Sequence, residues 1–201
     1  MADENVIAVS FNDPSKAYEA YSNLKNAALQ GRVEIRSAAI VTRDAYGRLS
    51  IPEGGDAVGG DATWGGGLIG LLIGVIGGPI GMLFGWTGGL LVGSAYDAKR
   101  ADRGDSVLAQ ISRLVPNGGT ALVAEVNEYA VEVVDKLMAP LGGTVFRRSS
   151  ASILAELETA EDAYEQAEKE AKRVAREEKK AERREDWDAR IASLKEKLHI
   201  S

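Results

Sequence analysis

The chain has 201 residues, 24 Lys+Arg against 30 Asp+Glu, one His and no Cys. That length holds one domain, or one domain with appendages, and zero Cys excludes disulfides, thiolate zinc sites and thiol catalysis. A net charge of -6 argues against a chain-wide nucleic-acid binder, which needs a basic field, and a single His, His199, excludes His-rich metal sites and leaves only a tail residue for any His-dependent base.

The first five residues, Met1 to Asn5, are acidic and no long apolar stretch follows them. A secretory signal needs a basic start and an apolar core, so the N-terminus is expected to stay in the cytosol. Val6 to Phe11 is a β-branched run that reads as a strand. Asn12-Asp13-Pro14-Ser15 offers capping oxygens and a Pro suited to a first helical turn. Tyr18, Tyr21, Leu24, Ala28 and Leu29 then recur at helical spacing, and Gly31 closes the helix where a positive φ is tolerated. Val33 to Thr42 is a second strand, Tyr46-Gly47 a turn, and Arg48 to Ile51 a short returning strand.

No charged residue occurs from Ala62 to Tyr96, and twelve of the 23 glycines fall there. Gly66, Gly70, Gly74 and Gly78 are spaced by four; Gly81, Gly85, Gly89 and Gly93 repeat the spacing after Gly77-Gly78-Pro79. Four-residue spacing places them in stripes on two helices joined at the Pro. Gly costs about 0.8–1.0 kcal/mol relative to Ala in a helix interior, whereas bare backbone stripes promote close helix packing in lipid. The segment is therefore read as a membrane hairpin over residues 62–96, with Trp64 and Tyr96 as aromatic anchors at one interface. At 1.5 Å per residue each half would be about 24 to 28 Å long, slightly short of a ~30 Å hydrocarbon core. Two short spans and a re-entrant hairpin are both compatible with that. Burial inside a protein assembly is the competing account, since an apolar run alone also marks a buried element. Gly65 to Gly70 matches G-x-G-x-x-G, but without a preceding strand it carries little weight.

Beyond this segment, Asp105 and Ser106 are candidate caps for a helix through Val107, Leu108, Ile111 and Leu114, which Pro116-Asn117-Gly118-Gly119 ends. Thr120 to Val126 reads as a strand, Tyr129 to Ala139 as a helix and Thr144 to Phe146 as a last strand. From Ile153 to His199 there is no Gly or Pro, and Ala, Glu, Lys and Arg dominate. Such a stretch forms one long helix. Its thin apolar seam runs through Leu154, Leu157, Tyr164, Ala167, Ala171, Val174 and Ala181, then shifts to Trp187, Ile191, Leu194 and Leu198. That seam fits a coiled-coil or intersubunit helix. Eight Lys or Arg between Lys169 and Arg184 suggest a basic face, yet 14 acids against 11 bases in 150–201 make a solvated mixed-charge helix the better reading.

The expected class is α+β. A split ferredoxin-like domain, βαβ over 1–61 and αβαβ over 97–149, is interrupted by the Gly-rich hairpin of 62–96 and followed by a charged helix over 150–201. This pattern resembles a family of uncharacterised bacterial membrane proteins, domain of unknown function 1269, over roughly residues 5–148. The resemblance implies membrane association and no catalysis, and the helix after Ser150 lies outside it. The expected location is the cytoplasmic membrane with both termini in the cytosol.

Carboxylates such as Asp13 and Glu34 have no base, metal cluster or nucleophile in pattern with them, so no catalytic, metal or cofactor residue is assigned. The leading expectation is a non-enzymatic, membrane-embedded homo-oligomeric scaffold, with membrane shaping or envelope stress as its setting. Its partners would be the lipid bilayer and other copies of itself, with no nucleic acid. The alternative is a regulatory or sensory binding module anchored by the hairpin. Sensing should leave a polar pocket on the sheet, whereas scaffolding should leave apolar contact surfaces.

Overall fold

The computed structural model of the protein describes residues 3–52, 67–83 and 106–198. Five strands form one antiparallel sheet in the order β3-β2-β4-β1-β5: β1 Asp3–Phe11, β2 Val33–Arg43, β3 Leu49–Ser50, β4 Thr120–Glu128 and β5 Val145–Ser149. The helices are α1 Pro14–Leu29, α2 Gly67–Gly77, α3 Pro79–Leu83, α4 Val107–Leu114, α5 Val131–Met138 and α6 Ser150–Leu198. β1 and β2 both pair with β4 and run parallel to each other on its two sides. The register of β2 against β4 shifts at Arg36, between Ile35 and Ser37, so that both ends of the ladder stay paired.

Local chemistry sets the element ends. Asp13 accepts a hydrogen bond from the Ser15 backbone N–H at 2.9 Å, and Pro14 opens α1 where its missing donor is not needed. Its last turn closes through Gly31, whose φ of 68° lies in the left-handed region. α4 starts at Ser106, which accepts from the Ala109 backbone N–H. The Glu156 carboxylate of α6 accepts from the backbone N–H groups of Val107 at 2.9 Å and Leu108 at 3.2 Å, where the helix dipole favours negative charge.

The core has two layers, one on each face of the sheet. On one face Ile7, Val9, Ile40, Leu122, Ala124 and Val126 pack against Ala17, Ala20, Tyr21 and Leu24 of α1 and Val134 and Met138 of α5. On the other, Val6, Ala8, Ala39, Val41 and Val123 pack against α2, α4 and the start of α6. Both faces are apolar and both are covered, which gives three layers.

This arrangement corrects the reading of residues 62–96 as a membrane hairpin, and with it the assignments as a membrane protein at the cytoplasmic membrane. Among the described residues no helix is long and apolar enough to cross a membrane. α2 spans 11 residues and α3 five. Ile69, Leu72, Ile73, Val75 and Ile76 are buried in the core of the second face. At roughly 1.5–3 kcal/mol per fully buried side chain, their gross burial is worth on the order of 10 kcal/mol. Gly67–Gly77 is therefore uncharged because it covers a sheet. The remainder of the segment, including Trp64 and Tyr96, lies outside the described residues.

The chain divides into two compact units, Met1–Glu161 and Asp162–Ser201. In the first, Ile153, Leu157 and Ala160 of α6 belong to the core. In the second, α6 carries ion pairs at helical spacing, Lys169 to Glu165 at 3.0 Å and Lys172 to Glu168 at 2.7 Å. These are exposed and each is worth only about 0.3–0.5 kcal/mol.

Candidate association groove

At the end of the sheet where α1 stops, β2 starts and β4 finishes, the first unit has a groove of about 480 Å³. Its lining includes Ala28, Leu29, Val33, Ile35 and Tyr129, with Lys25 and Glu34 as the charged members. The sequence builds this concavity locally. Gly31 turns the chain tightly from α1 into β2, its N–H donating to the Ala28 carbonyl at 2.9 Å, and leaves open space where a Cβ would stand. Leu29, at the last position of α1, is 87% exposed; Tyr129, just past β4, is 63% exposed. Glu34 accepts a hydrogen bond from Asn127 Nδ2 at 2.9 Å, its partner in the β2–β4 register, which fixes the carboxylate on that wall. Lys25 Nζ lies 5.3 Å from the Tyr21 ring centre, a cation–π distance.

The neighbouring end of β4 is held by an ionic cluster built on the buried Glu128. The Glu128 side chain is fully buried and takes a forked pair of hydrogen bonds from Arg147, 2.7 Å from Nε and 2.9 Å from the terminal nitrogen. Asn5 Nδ2 also donates to Glu128 at 2.9 Å, and Arg147 reaches Asp135 at 2.8 Å. Burial alone would lower the Arg147 pKa; the hydrogen bonds to Glu128 and Asp135 outweigh it and hold the value above the ordinary arginine level. The cluster joins β1, β4, α5 and β5, so Tyr129 projects from a rigid base.

A buried cation sits at the other end of β2. Arg43 is 4% exposed and donates to the carbonyls of Val115 at 2.6 Å, Ser112 at 2.8 Å and Gly47 at 2.8 Å. Ser112 and Val115 lie at the C-terminus of α4, where the dipole favours a cation. Burial lowers the Arg43 pKa, and Asp44 partly counters that.

The residues singled out in the sequence are dispersed. Asp13 caps α1 and Glu34 pairs with Asn127. Gly70 and Gly74 are on α2, and Gly74 is exposed with open space where a Cβ would stand. Gly78 and Gly81 serve the break between α2 and α3: a Cβ at Gly78 would collide with the Gly74 carbonyl, and one at Gly81 with the Ile76 carbonyl. Gly66, Gly85, Gly89 and Gly93 lie outside the described residues. Trp187 is 63% exposed and Ile191 37% exposed on α6; Leu194 and Leu198 continue the helix, their side chains beyond those described. Among the described residues no three His, Cys, Asp or Glu side chains gather in a metal-binding group.

The groove was not foreseen. Its walls come from segments nearly one hundred residues apart, and a surface Leu or Tyr carries no periodic signature. The signal that existed was Leu29 as the last apolar residue before a helix-ending Gly, on a helix whose buried face is mostly Ala. Comparison with protein-family models, curated proteins and solved structures found no match.

Proposed function

We propose that this chain is a non-enzymatic, self-associating scaffold in which sheets of ferredoxin-like type are joined through the C-terminal helix. The ferredoxin-like part of this reading rests on the strand order β2-β4-β1-β5, with α1 and α5 on one face. The scaffold part rests on one observation. On α6, a helix dominated by charge, Val174, Trp187 and Ile191 are 41%, 63% and 37% exposed. Trp187 and Ile191 are four residues apart and share a face. An indole and a branched aliphatic side chain left in water at helical spacing are the means of binding another apolar surface.

The alternative, a sensory binding module, rests on the groove. Its walls are mostly apolar, with Lys25 and Glu34 the charged members. That lining suits a protein contact better than a polar metabolite, so the groove supports association as well.

Light scattering on the full-length chain and on a Trp187→Glu/Ile191→Glu double variant tests the scaffold. The full-length chain is expected to run as an oligomer and the variant as a monomer whose sheet stays folded, read from retained amide protection of β1 and β4. A monomeric full-length chain, or a variant with undiminished mass, overturns the proposal.

A further inference from the structure

We propose that the groove at the α1–β2 turn receives the Trp187–Ile191 face of α6 from a second copy, so that association runs head to tail. The inference rests on the self-association reading above and names the surface the helix finds. Three observations favour this occupant. The groove's most prominent apolar side chains, Leu29 at 87% and Tyr129 at 63% exposure, and the helix's, Trp187 at 63%, are each left in water by their own chain. A groove of about 480 Å³ has room for an indole together with the branched side chain one turn on. The charges are also complementary. Arg183 and Arg184 precede Trp187 by four and three residues, on its side of the helix. Glu34 on the β2 wall offers the arginines an anion.

The occupant is assigned to another copy because a contact within one chain would leave the full-length protein monomeric, against the self-association on which this inference rests. A contact between two different surfaces of the same chain is heterologous. It closes into a ring or extends into a filament, whereas helix-to-helix pairing would stop at a closed bundle.

The experiment uses full-length chains and two lesions. One is the groove variant Leu29→Asp/Tyr129→Ser, at exposed side chains; the other is the helix variant Trp187→Glu/Ile191→Glu. Head-to-tail association predicts that each variant alone is monomeric or weakened at least about thirtyfold, the loss expected for interface anchors. It also predicts that an equimolar mixture recovers a complex of two, because each supplies the surface the other lacks. A groove variant that keeps the full-length mass while the helix variant becomes monomeric overturns the groove assignment and leaves the scaffold reading standing. Two monomeric variants that do not complement each other overturn it equally. A helix variant of undiminished mass overturns the scaffold itself. Should the double groove variant lose far-UV signal, Leu29→Asp alone, at the more exposed position, provides the same comparison.

Discussion

Arg43 and Asp44 stand side by side at the end of β2 and do opposite work. Arg43 is buried and bonds three carbonyls, tying β2 to the end of α4 and to the turn after β2. Replacing it with Met would leave those carbonyls without the guanidinium in a site that is 4% exposed. Each unsatisfied buried group costs about 1–3 kcal/mol, so Arg43→Met is expected to lower the unfolding free energy in urea by roughly 3 kcal/mol, with Arg43→Lys recovering only part. Asp44, on the surface, accepts from the backbone N–H groups of Arg48 at 2.9 Å and Tyr46 at 2.8 Å. The backbone bond from Arg48 is the leading cause holding its pKa below the ordinary aspartate value. A depressed carboxylate stabilises the fold above its unfolded pKa and loses that contribution as pH falls through the folded one. Carboxyl NMR titration should therefore place the Asp44 midpoint, and likewise that of the cap Asp13, on the acid side of ordinary aspartate, with the turn loosening only below it. A midpoint at or above the ordinary value would contradict both hydrogen-bonded turns.

At the scale of elements, the two β-α-β halves were legible because β1 and β2 carry β-branched runs, β4 an apolar run, and turn residues and helix caps or stops mark the boundaries between elements. The destination of the apolar segment was not, although a physical clue was present. Val6-Ile7-Ala8-Val9 and Ala121-Leu122-Val123-Ala124 are unbroken apolar runs, all 2% exposed or less. A strand with one wet face alternates; a continuous run belongs to a sheet covered on both sides. α1 and α5 cover only one side, so a third layer was required, and the chain's largest uncharged segment was the material available to build it. The Gly spacing drew attention to lipid because it is a packing signature there, but Gly78 and Gly81 serve a sharp turn between two short helices. If α2 is a sheet cover, Leu72→Ala, at a side chain 1% exposed, should cost about 2–5 kcal/mol in urea unfolding. Leu71→Ala, at 43% exposure, should cost under about 1 kcal/mol. Equal small effects would mean that α2 is not packed there. Gly74→Ala, facing open space, should stabilise by up to about 1 kcal/mol through helix propensity, while Gly77→Ala meets the Leu49 backbone at 3.0 Å and should not.

At the scale of the molecule, the two units draw their stability from different sources. Met1–Glu161 buries two apolar layers around a sheet; the described part of Asp162–Ser201 is helix to Leu198, with side chains mostly exposed. Helix propensity and ion pairs of about 0.3–0.5 kcal/mol hold an isolated helix only marginally. If the second unit is ordered by apolar contact with another copy, as proposed above, its amide exchange reports that contact directly. If the full-length chain associates as proposed, its amides around Trp187 and Ile191 should exchange slowly; in Trp187→Glu/Ile191→Glu they should approach the rate of a fraying helix, while β1 and β4 keep their protection. Salt separates the apolar from the ionic account of the same contact. At about 1 M the Debye length falls to ~3 Å, which screens the exposed ion pairs of the helix, yet apolar burial is not weakened. Protection around Trp187 should thus survive high salt. Its loss there, with the sheet still protected, would show that charge pairing rather than the indole and its neighbour holds the copies together.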